Sequence, residues 1–131
     1  MIKTLIVEDD FTSRLLLQEL LKEYGQSHVA VNGKEAVDAT AEALKAKDHY
    51  DLICLDIMMP EMDGQTALKR IRELEEAEGL ISTDGAKILM TTALDDVSNV
   101  SKAYSGLCDG YLVKPIRREK LREELSKLGL A

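Results

Sequence analysis

Short apolar runs alternate along this chain with segments in which apolar residues recur at helical spacing. The runs predict buried strands at residues 2–7, 29–31, 51–55, 86–91 and 110–113. Gly25 is predicted to end the first helix, residues 32–33 to form a turn, and residues 75–85 to form a helix end followed by an extended loop. The apolar stripes of the five predicted helices are Phe11, Leu15, Leu16, Leu20 and Tyr24; Val37, Thr40, Ala41 and Leu44; Ala67, Leu68, Ile71 and Leu74; Val97, Val100, Tyr104 and Leu107; and Leu121, Leu125 and Leu128.

This alternation predicts an α/β protein of five βα units, in which the strands form one parallel sheet with helices on both faces. The common doubly wound sheet of this size has strand order 2-1-3-4-5. In that order the first and third strands are neighbours, so Asp9 and Asp56 face each other across one edge. We expect a single domain over residues 1–131, because the sequence contains no internal repeat or linker.

Polar side chains that can carry chemistry follow four of the predicted strands. Ligands of parallel α/β sheets bind outside the carboxyl ends of the strands, so these side chains should meet at one edge. Converging carboxylates need a cation, and an oxygen-lined site suits Mg²⁺ or Mn²⁺ together with phosphate oxygens. An Asp carboxylate can also form an acyl phosphate while a cation and an ammonium offset the phosphoryl charge. The residues concerned are Glu8, Asp9 and Asp10, then Asp56, then Thr91 and Thr92, and finally Lys114.

The composition narrows the possible partners and locations. The net charge is −7, which argues against a nucleic-acid-binding protein because such proteins need a basic face. No apolar run approaches the about 20 residues of a membrane span, and the first residues lead into a strand rather than a signal peptide. Cys54 and Cys108 lie in apolar contexts without metal-site spacing, so we expect reduced thiols and a cytoplasmic location.

Taken together, these residues resemble the receiver domain of two-component response regulators, the CheY-like family, whose fold is flavodoxin-like. The motifs that carry the resemblance are Glu8-Asp9, Asp56, Pro60, Asp63-Gly64, Thr92-Ala93 and Lys114-Pro115. Each motif is common by itself, but all of them in this order form a specific signal. The resemblance implies a phosphoprotein without an output domain that takes a phosphoryl group from a histidine kinase or phosphotransfer protein. It also implies a downstream protein target, contacted through the fourth predicted helix, the fifth strand and the last helix.

The resemblance assigns the acceptor and the metal ligands. Asp56 is expected to be phosphorylated, and Asp9 and Asp56 are expected to bind Mg²⁺ directly. The Met58 backbone carbonyl would complete the protein ligands, while Glu8 would act through water. By the same resemblance, the chain catalyses only its own phosphorylation and slow dephosphorylation and is not an enzyme for other substrates.

The resemblance also assigns residues that sense the phosphoryl group. Thr92 and Lys114 are expected to contact phosphoryl oxygens, and Lys114-Pro115 is expected to form a cis peptide bond that orients the ammonium. Tyr111 is expected to rotate inward when the Thr92 hydroxyl moves toward the phosphate. Without the resemblance, Tyr111 would be interpreted as a core aromatic whose hydroxyl reaches the surface.

Other polar residues have simpler interpretations. We expect Asp10, Asp95 and Asp96 to be helix N-caps. His28 and His49 lie outside the predicted edge and are expected to be solvated surface residues rather than phosphate carriers. The basic segment 117–120 is expected to be a solvated helix start, with contact to a partner as the alternative.

The chain departs from fast self-dephosphorylating members of the family at two positions. Such members carry polar side chains two residues after the acceptor and two residues after the threonine, where they orient the attacking water. Here these positions are Met58 and Leu94, which cannot hold a water strongly. The phosphorylated form is therefore expected to be long-lived, which slightly favours a phosphorelay role over chemotaxis-type motor control.

Two other function classes use related chemistry or the same fold. A haloacid-dehalogenase-type phosphatase also combines a nucleophilic Asp, Mg²⁺ and a Lys, but it needs an acid two residues after the nucleophile, where Met58 stands. A flavodoxin-like electron carrier needs a phosphate-binding loop after the first strand, and the acidic residues 8–10 would repel the FMN phosphate. Both alternatives are therefore disfavoured.

Overall fold

The computed structural model describes residues 1–59, 62–80, 85–93 and 107–131. The strands are β1 (Ile2–Val7), β2 (Gly25–Ala30), β3 (Leu52–Asp56), β4 (Lys87–Thr92) and β5 (Gly110–Val113). Within the described ranges the helices are α1 (Phe11–Leu21), α2 (Gly33–Lys45), α3 (Gly64–Ala77) and α4 (Arg118–Lys127). Helix α4 corresponds to the last predicted helix, whereas the fourth predicted helix, with Asp95 and Asp96, lies outside the described residues except for Leu107. None of the helices searched in the described ranges is long and apolar enough to cross a membrane.

The five strands form one parallel sheet in the order β2-β1-β3-β4-β5, which confirms the predicted topology. Val7 pairs with Ala30 on one side and with Leu55 on the other, and Asp56 pairs with Thr91. This register brings the carboxyl ends of the central strands to the same edge of the sheet. Strands β3 and β4 each end one residue later than predicted, so Asp56 and Thr92 are the last strand residues.

Two apolar clusters cover the two faces of the sheet, because successive strand residues point to opposite sides. Leu5, Leu55 and Met90 face α2 and α3 and pack in a cluster with Val37 and Leu68. On the other face, a second cluster packs below α1 and α4; its members include Ile6, Cys54, Leu89, Leu112, Leu17, Leu21, Leu121 and Leu125. The three central strands are therefore buried on both faces.

The predicted apolar stripe of α1 is wrong in part. Leu17, Leu20 and Leu21 are buried against the sheet, but Phe11, Leu15 and Leu16 are 62%, 49% and 40% exposed. The sequence of α1 carries apolar residues on more than one face, and only the face containing Leu17 meets β1 and the second cluster. Tyr24 lies beyond the end of the helix at Leu21 and is only partly buried.

Strand β2 is longer than predicted and begins at Gly25, which was expected to be a helix stop. Gly25 has φ 149°, and a Cβ there would lie 2.0 Å from the Ile2 carbonyl oxygen. The polar residues at 26–28 interrupt the apolar pattern from which a strand is predicted. They are tolerated because β2 is an edge strand in which only Ala30 is fully buried. Val31 lies outside the strand, and Asn32 caps α2 by accepting a hydrogen bond from the Glu35 amide at 2.8 Å.

A buried ion network lies at the opposite end of the sheet from the predicted site. The sequence pattern assigned residue 75 to a polar helix end, but Glu75 is only 3% exposed and belongs to α3. Its carboxylate accepts hydrogen bonds from Arg72 Nη1 and from the Ala86 amide, each at 2.7 Å. Arg72 also contacts Asp109 Oδ2 at 3.0 Å and donates to the Leu107 carbonyl at 2.7 Å. The network joins α3 to the segments that precede β4 and β5.

Candidate functional site

A cleft of about 270 Å³ opens at the carboxyl ends of β1, β3, β4 and β5. It contains the acidic, hydroxyl and ammonium groups that the sequence placed at this edge. The residues that line it are Glu8, Asp9, Asp10, Asp56, Ile57, Met58, Thr91, Thr92, Ala93 and Lys114.

Three carboxylates converge in this cleft. Glu8, Asp9 and Asp56 each offer one oxygen, and these oxygens all lie within 4.8 Å of one another. Asp9 is exposed, whereas Glu8 and Asp56 are only 1% and 4% exposed. Such a set of hard oxygen donors fits a divalent cation, which would also offset the mutual repulsion of the carboxylates.

Lys114 bridges the two buried carboxylates. Its Nζ lies 2.8 Å from Glu8 Oε1 and 3.2 Å from Asp56 Oδ1. Burial lowers the pKa of Lys114, but the hydrogen bond to Glu8 and the charges of Asp56 and Glu8 outweigh it and raise the pKa. The side chain is therefore an ammonium held beside the predicted acceptor. The Lys114–Pro115 peptide bond is cis, and the Lys114 amide donates to the Thr92 carbonyl at 2.8 Å.

Two groups at the start of α1, the Asp10 amide and the Arg14 guanidinium, hold Glu8 in place. Burial is the first cause that raises the pKa of Glu8, followed by the neighbouring Asp56, and these outweigh the opposite effect of Lys114. The Asp10 amide donates to Glu8 Oε2 at 3.2 Å, and Arg14 Nη1 donates to the Glu8 carbonyl at 3.1 Å. Arg14 is a site-supporting residue that sequence reasoning missed, because nothing in the spacing links it to position 8.

Asp10 caps helix α1 and is not one of the three converging carboxylates. Its Oδ2 accepts a hydrogen bond from the Ser13 amide at 2.9 Å, which confirms the predicted N-cap of α1. The same hydrogen bond is the main cause that lowers the pKa of Asp10. The adjacent acids of the sequence therefore separate into a helix cap at position 10 and two members of the carboxylate cluster at positions 8 and 9.

Asp56 is fixed by the loop that follows β3. The Met58 amide donates to Asp56 Oδ1 at 3.3 Å, and the Met58 side chain is 74% exposed beside the cleft. Gly64, the first residue of α3, donates its amide to the Ile57 carbonyl at 3.0 Å. A Cβ at Gly64 would lie 2.1 Å from the Asp56 carbonyl oxygen, so this close approach of the helix to the strand needs glycine. Asp63 caps α3 by accepting from the Thr66 amide at 2.8 Å.

The two threonines at the end of β4 have different surroundings. Thr92 Oγ1 donates to the Ala93 carbonyl at 3.3 Å, and Thr92 lines the cleft as predicted. Thr91 is 1% exposed, and among the described residues its Oγ1 has no hydrogen-bond partner. The sequence interpretation gave a role to Thr92 alone.

The remaining predicted residues lie away from the three carboxylates or outside the described part of the chain. Tyr111 is partly buried and packs against the apolar cluster below α2 and α3, so its switching role stays a prediction. His28 is exposed on β2, where its Nδ1 lies 3.0 Å from the Tyr50 hydroxyl, and neither it nor His49 lines the cleft. Pro60 and Leu94 lie outside the described residues.

Comparisons with known proteins agree with this arrangement. The family model described as response regulator receiver domain matches residues 4–126. The chemotaxis protein CheY of Bacillus subtilis is 34% identical over 128 residues, which cover 95% of each chain. The osmosensing histidine protein kinase SLN1 of Saccharomyces cerevisiae is 31% identical over 132 residues, which cover 99% of this chain but only 10% of the kinase.

A solved structure extends the similarity to a complex. It contains the S. cerevisiae histidine phosphotransfer signaling protein Ypd1 and the receiver domain of its downstream response regulator Ssk1. Its matched chain has a TM-score of 0.80 and 28% sequence identity, and the match covers 98% of this chain and 88% of that one.

Proposed function

Because this chain belongs to the response regulator receiver domain family of two-component signalling, we propose that Asp56 accepts a phosphoryl group from a phosphohistidine of a kinase or a phosphotransfer protein. The observation that carries the proposal is the position of Asp56, which is buried within reach of two further carboxylates and of the Lys114 ammonium. Similarity to the receiver that crystallised with Ypd1, and to a receiver-like part of SLN1, supports this class of donor.

In the proposed reaction a carboxylate oxygen of Asp56 attacks the phosphorus atom. The new O–P bond forms as the N–P bond to the donor imidazole breaks, and the imidazole nitrogen keeps the bonding electron pair. Lys114 already contacts Asp56, so its ammonium is available to offset charge on the transferred group without a large movement. The low exposure of Asp56 limits access of water to the acceptor oxygen.

Asp9 and Asp56 would hold a Mg²⁺ ion, with Glu8 acting through water and the Met58 carbonyl as a further ligand. When bound, the ion would neutralise charge on the phosphoryl oxygens during transfer. The chemistry of the donor set supports this assignment, since Mg²⁺ prefers carboxylate, carbonyl and water oxygens. Mn²⁺ has the same preference and would serve in its place.

Phosphorylation would be signalled through Thr92 and Tyr111 to a downstream protein. In this proposal the Thr92 hydroxyl turns toward the phosphoryl group, and Tyr111 on β5 changes its packing. The contact surface would comprise the fourth predicted helix, β5 and α4. Addition of a stable phosphate mimic should therefore shift the amide resonance of Tyr111, whereas changes confined to residues next to Asp56 would contradict the switch.

The direct test is phosphorylation by acetyl phosphate in the presence of MgCl₂, followed by mass spectrometry. Wild-type protein should gain one phosphoryl group, and peptide mapping should locate it on Asp56. Asp56→Asn should lose the modification, whereas Asp63→Asn, which changes an acid in the following loop and keeps a good N-cap residue, should retain it. A full phosphorylation signal in Asp56→Asn would refute Asp56 as the acceptor. Phosphorylation of the wild type without Mg²⁺ would refute the proposed metal dependence.

A further inference from the structure

Thr91 is a buried polar residue for which neither the sequence nor the fold gives a structural role. It is 1% exposed, and its hydroxyl oxygen has no hydrogen-bond partner in the described part of the chain. Buried hydroxyl groups in proteins nearly always have a partner, because losing water without replacing its hydrogen bonds is unfavourable. A buried hydroxyl that has no hydrogen-bond partner in one state of a protein therefore points to a partner that it gains in another state.

The sheet register places Thr91 directly beside the acceptor. Thr91 and Asp56 are paired residues on β4 and β3, and neighbouring strands lie about 4.8 Å apart. Cys54 and Leu89 pack in the same cluster below α1 and α4. Since side chains two positions apart in a strand share a face, Asp56 and Thr91 point to that same side.

Thr91 also borders the cleft that holds the acidic groups and Lys114. Asp56 Oδ1 already accepts from the Lys114 ammonium and the Met58 amide, whereas the Thr91 hydroxyl makes no hydrogen bond to any residue that the structure describes. Thr92 next to it differs, because its hydroxyl already donates to the Ala93 carbonyl. The cleft therefore has a second hydroxyl donor, distinct from the threonine that the family resemblance assigned.

We propose that Thr91 is a positioning residue whose hydroxyl donates a hydrogen bond to the phosphorylated Asp56 side chain and so stabilises the occupied site. This inference rests on the proposed phosphorylation of Asp56. In the unphosphorylated protein the hydroxyl has no hydrogen-bond partner among the described residues, and on phosphorylation of Asp56 it would gain one. The hydrogen bond would thus favour the phosphorylated state over the unphosphorylated one.

The test measures the affinity for beryllofluoride, a phosphoryl mimic, in saturating MgCl₂ by NMR titration. Thr91→Val removes the hydroxyl while keeping a β-branched side chain of similar shape, and Thr91→Ser keeps the hydroxyl. We expect Thr91→Val to bind roughly three- to tenfold more weakly, the range that one net hydrogen bond supplies. Thr91→Ser should bind nearly as tightly as wild type. Because it loses an unpartnered polar group, Thr91→Val without ligand should be at least as stable to urea as wild type.

Thr40→Val provides the matched control. Thr40 is also buried, but its hydroxyl donates to the Ala36 carbonyl at 2.8 Å within α2, so this variant should bind beryllofluoride like wild type. Equal affinities of wild type and Thr91→Val would overturn the inference. Equal weakening in Thr91→Ser would also overturn it, because the methyl group would then be the important part. If wild type itself does not bind beryllofluoride at Asp56, the proposed function fails first.

Discussion

Removal of the Arg72 guanidinium should destabilise the fold far more than loss of a surface charge. The side chains of Arg72 and Glu75 are 14% and 4% exposed, so their 2.7 Å ion pair lies mostly inside the protein. The guanidinium also donates to the carbonyls of Ala86 and Leu107 and contacts Asp109. Arg72→Met would leave the Glu75 carboxylate buried with the Ala86 amide as its remaining donor in the described ranges.

Breaking one side of a buried ion pair costs about 3–5 kcal/mol, because the remaining charge keeps its desolvation cost. For a domain of this size that loss corresponds to a fall of roughly 10–20 °C in Tm. Urea unfolding monitored by circular dichroism should therefore give a free energy of unfolding lower by about 4 kcal/mol.

Arg70→Met on the same helix is the matched control. Arg70 is exposed and lies 3.8 Å from Glu73, so its loss should cost at most about 1 kcal/mol. A double variant, Arg72→Met with Glu75→Leu, should recover part of the stability because the buried Glu75 carboxylate is then removed together with its partner. If Arg72→Met and Arg70→Met lower the free energy of unfolding equally, the buried network does not stabilise the protein and the reasoning is wrong.

The remaining predictions concern the site, a tyrosine and a thiol. Asp9→Ala should weaken Mg²⁺ binding at least about tenfold in an NMR titration. Asp10→Ala should lower stability through loss of the α1 cap and leave the Mg²⁺ affinity unchanged. Weaker Mg²⁺ binding in Asp10→Ala but not in Asp9→Ala would show that Asp10 and not Asp9 is the ligand. Met58→Asn should shorten the lifetime of the phosphorylated form, because an amide can hold the attacking water and a thioether cannot; equal decay rates would contradict this. Burial, followed by two nearby acidic groups, raises the pKa of Tyr50 above 10.0, so the stability it contributes is complete below that pH and lost as the pH rises through the raised pKa; Tyr50→Phe should lose this alkaline dependence in urea unfolding. Burial raises the pKa of the Cys54 thiol to about 12, so Cys54 should react with a disulfide reagent only after unfolding, and reaction in the native state would show that the second apolar cluster opens.

The sheet and most of the site could be predicted from the sequence, because strand ends in a parallel sheet obey simple rules. A continuous apolar run marks a strand that is buried on both faces, as in β3, and the residue that follows it must lie at the carboxyl edge. This is why Asp56 and Lys114 meet, although nothing in their spacing along the chain suggests it.

Other features depend on tertiary neighbours and could not be predicted in this way. The edge strand β2 has little apolar periodicity to detect, and α1 carries apolar residues on more faces than the sheet can cover, so Phe11 stays exposed. Glu75 follows the polar pattern of a solvated helix end, and only its contacts with Arg72 and the start of β4 explain its burial. The position of the Thr91 hydroxyl beside Asp56 depends on the pairing of β3 with β4, and that pairing follows from the sheet register and not from the local sequence.

The 2.8 Å contact between Glu8 and Lys114 joins the first strand to the last and so spans nearly the whole chain. During synthesis, the acidic residues and the acceptor leave the ribosome well before Lys114 does, because chains are made from the amino terminus. An unfinished or truncated chain therefore has the carboxylates without the ammonium that pairs with them. Under the proposed function, competence to receive a phosphoryl group would arise only once β5 has joined the sheet, so a phosphoryl donor would react only with a chain in which Glu8 and Lys114 are already in contact.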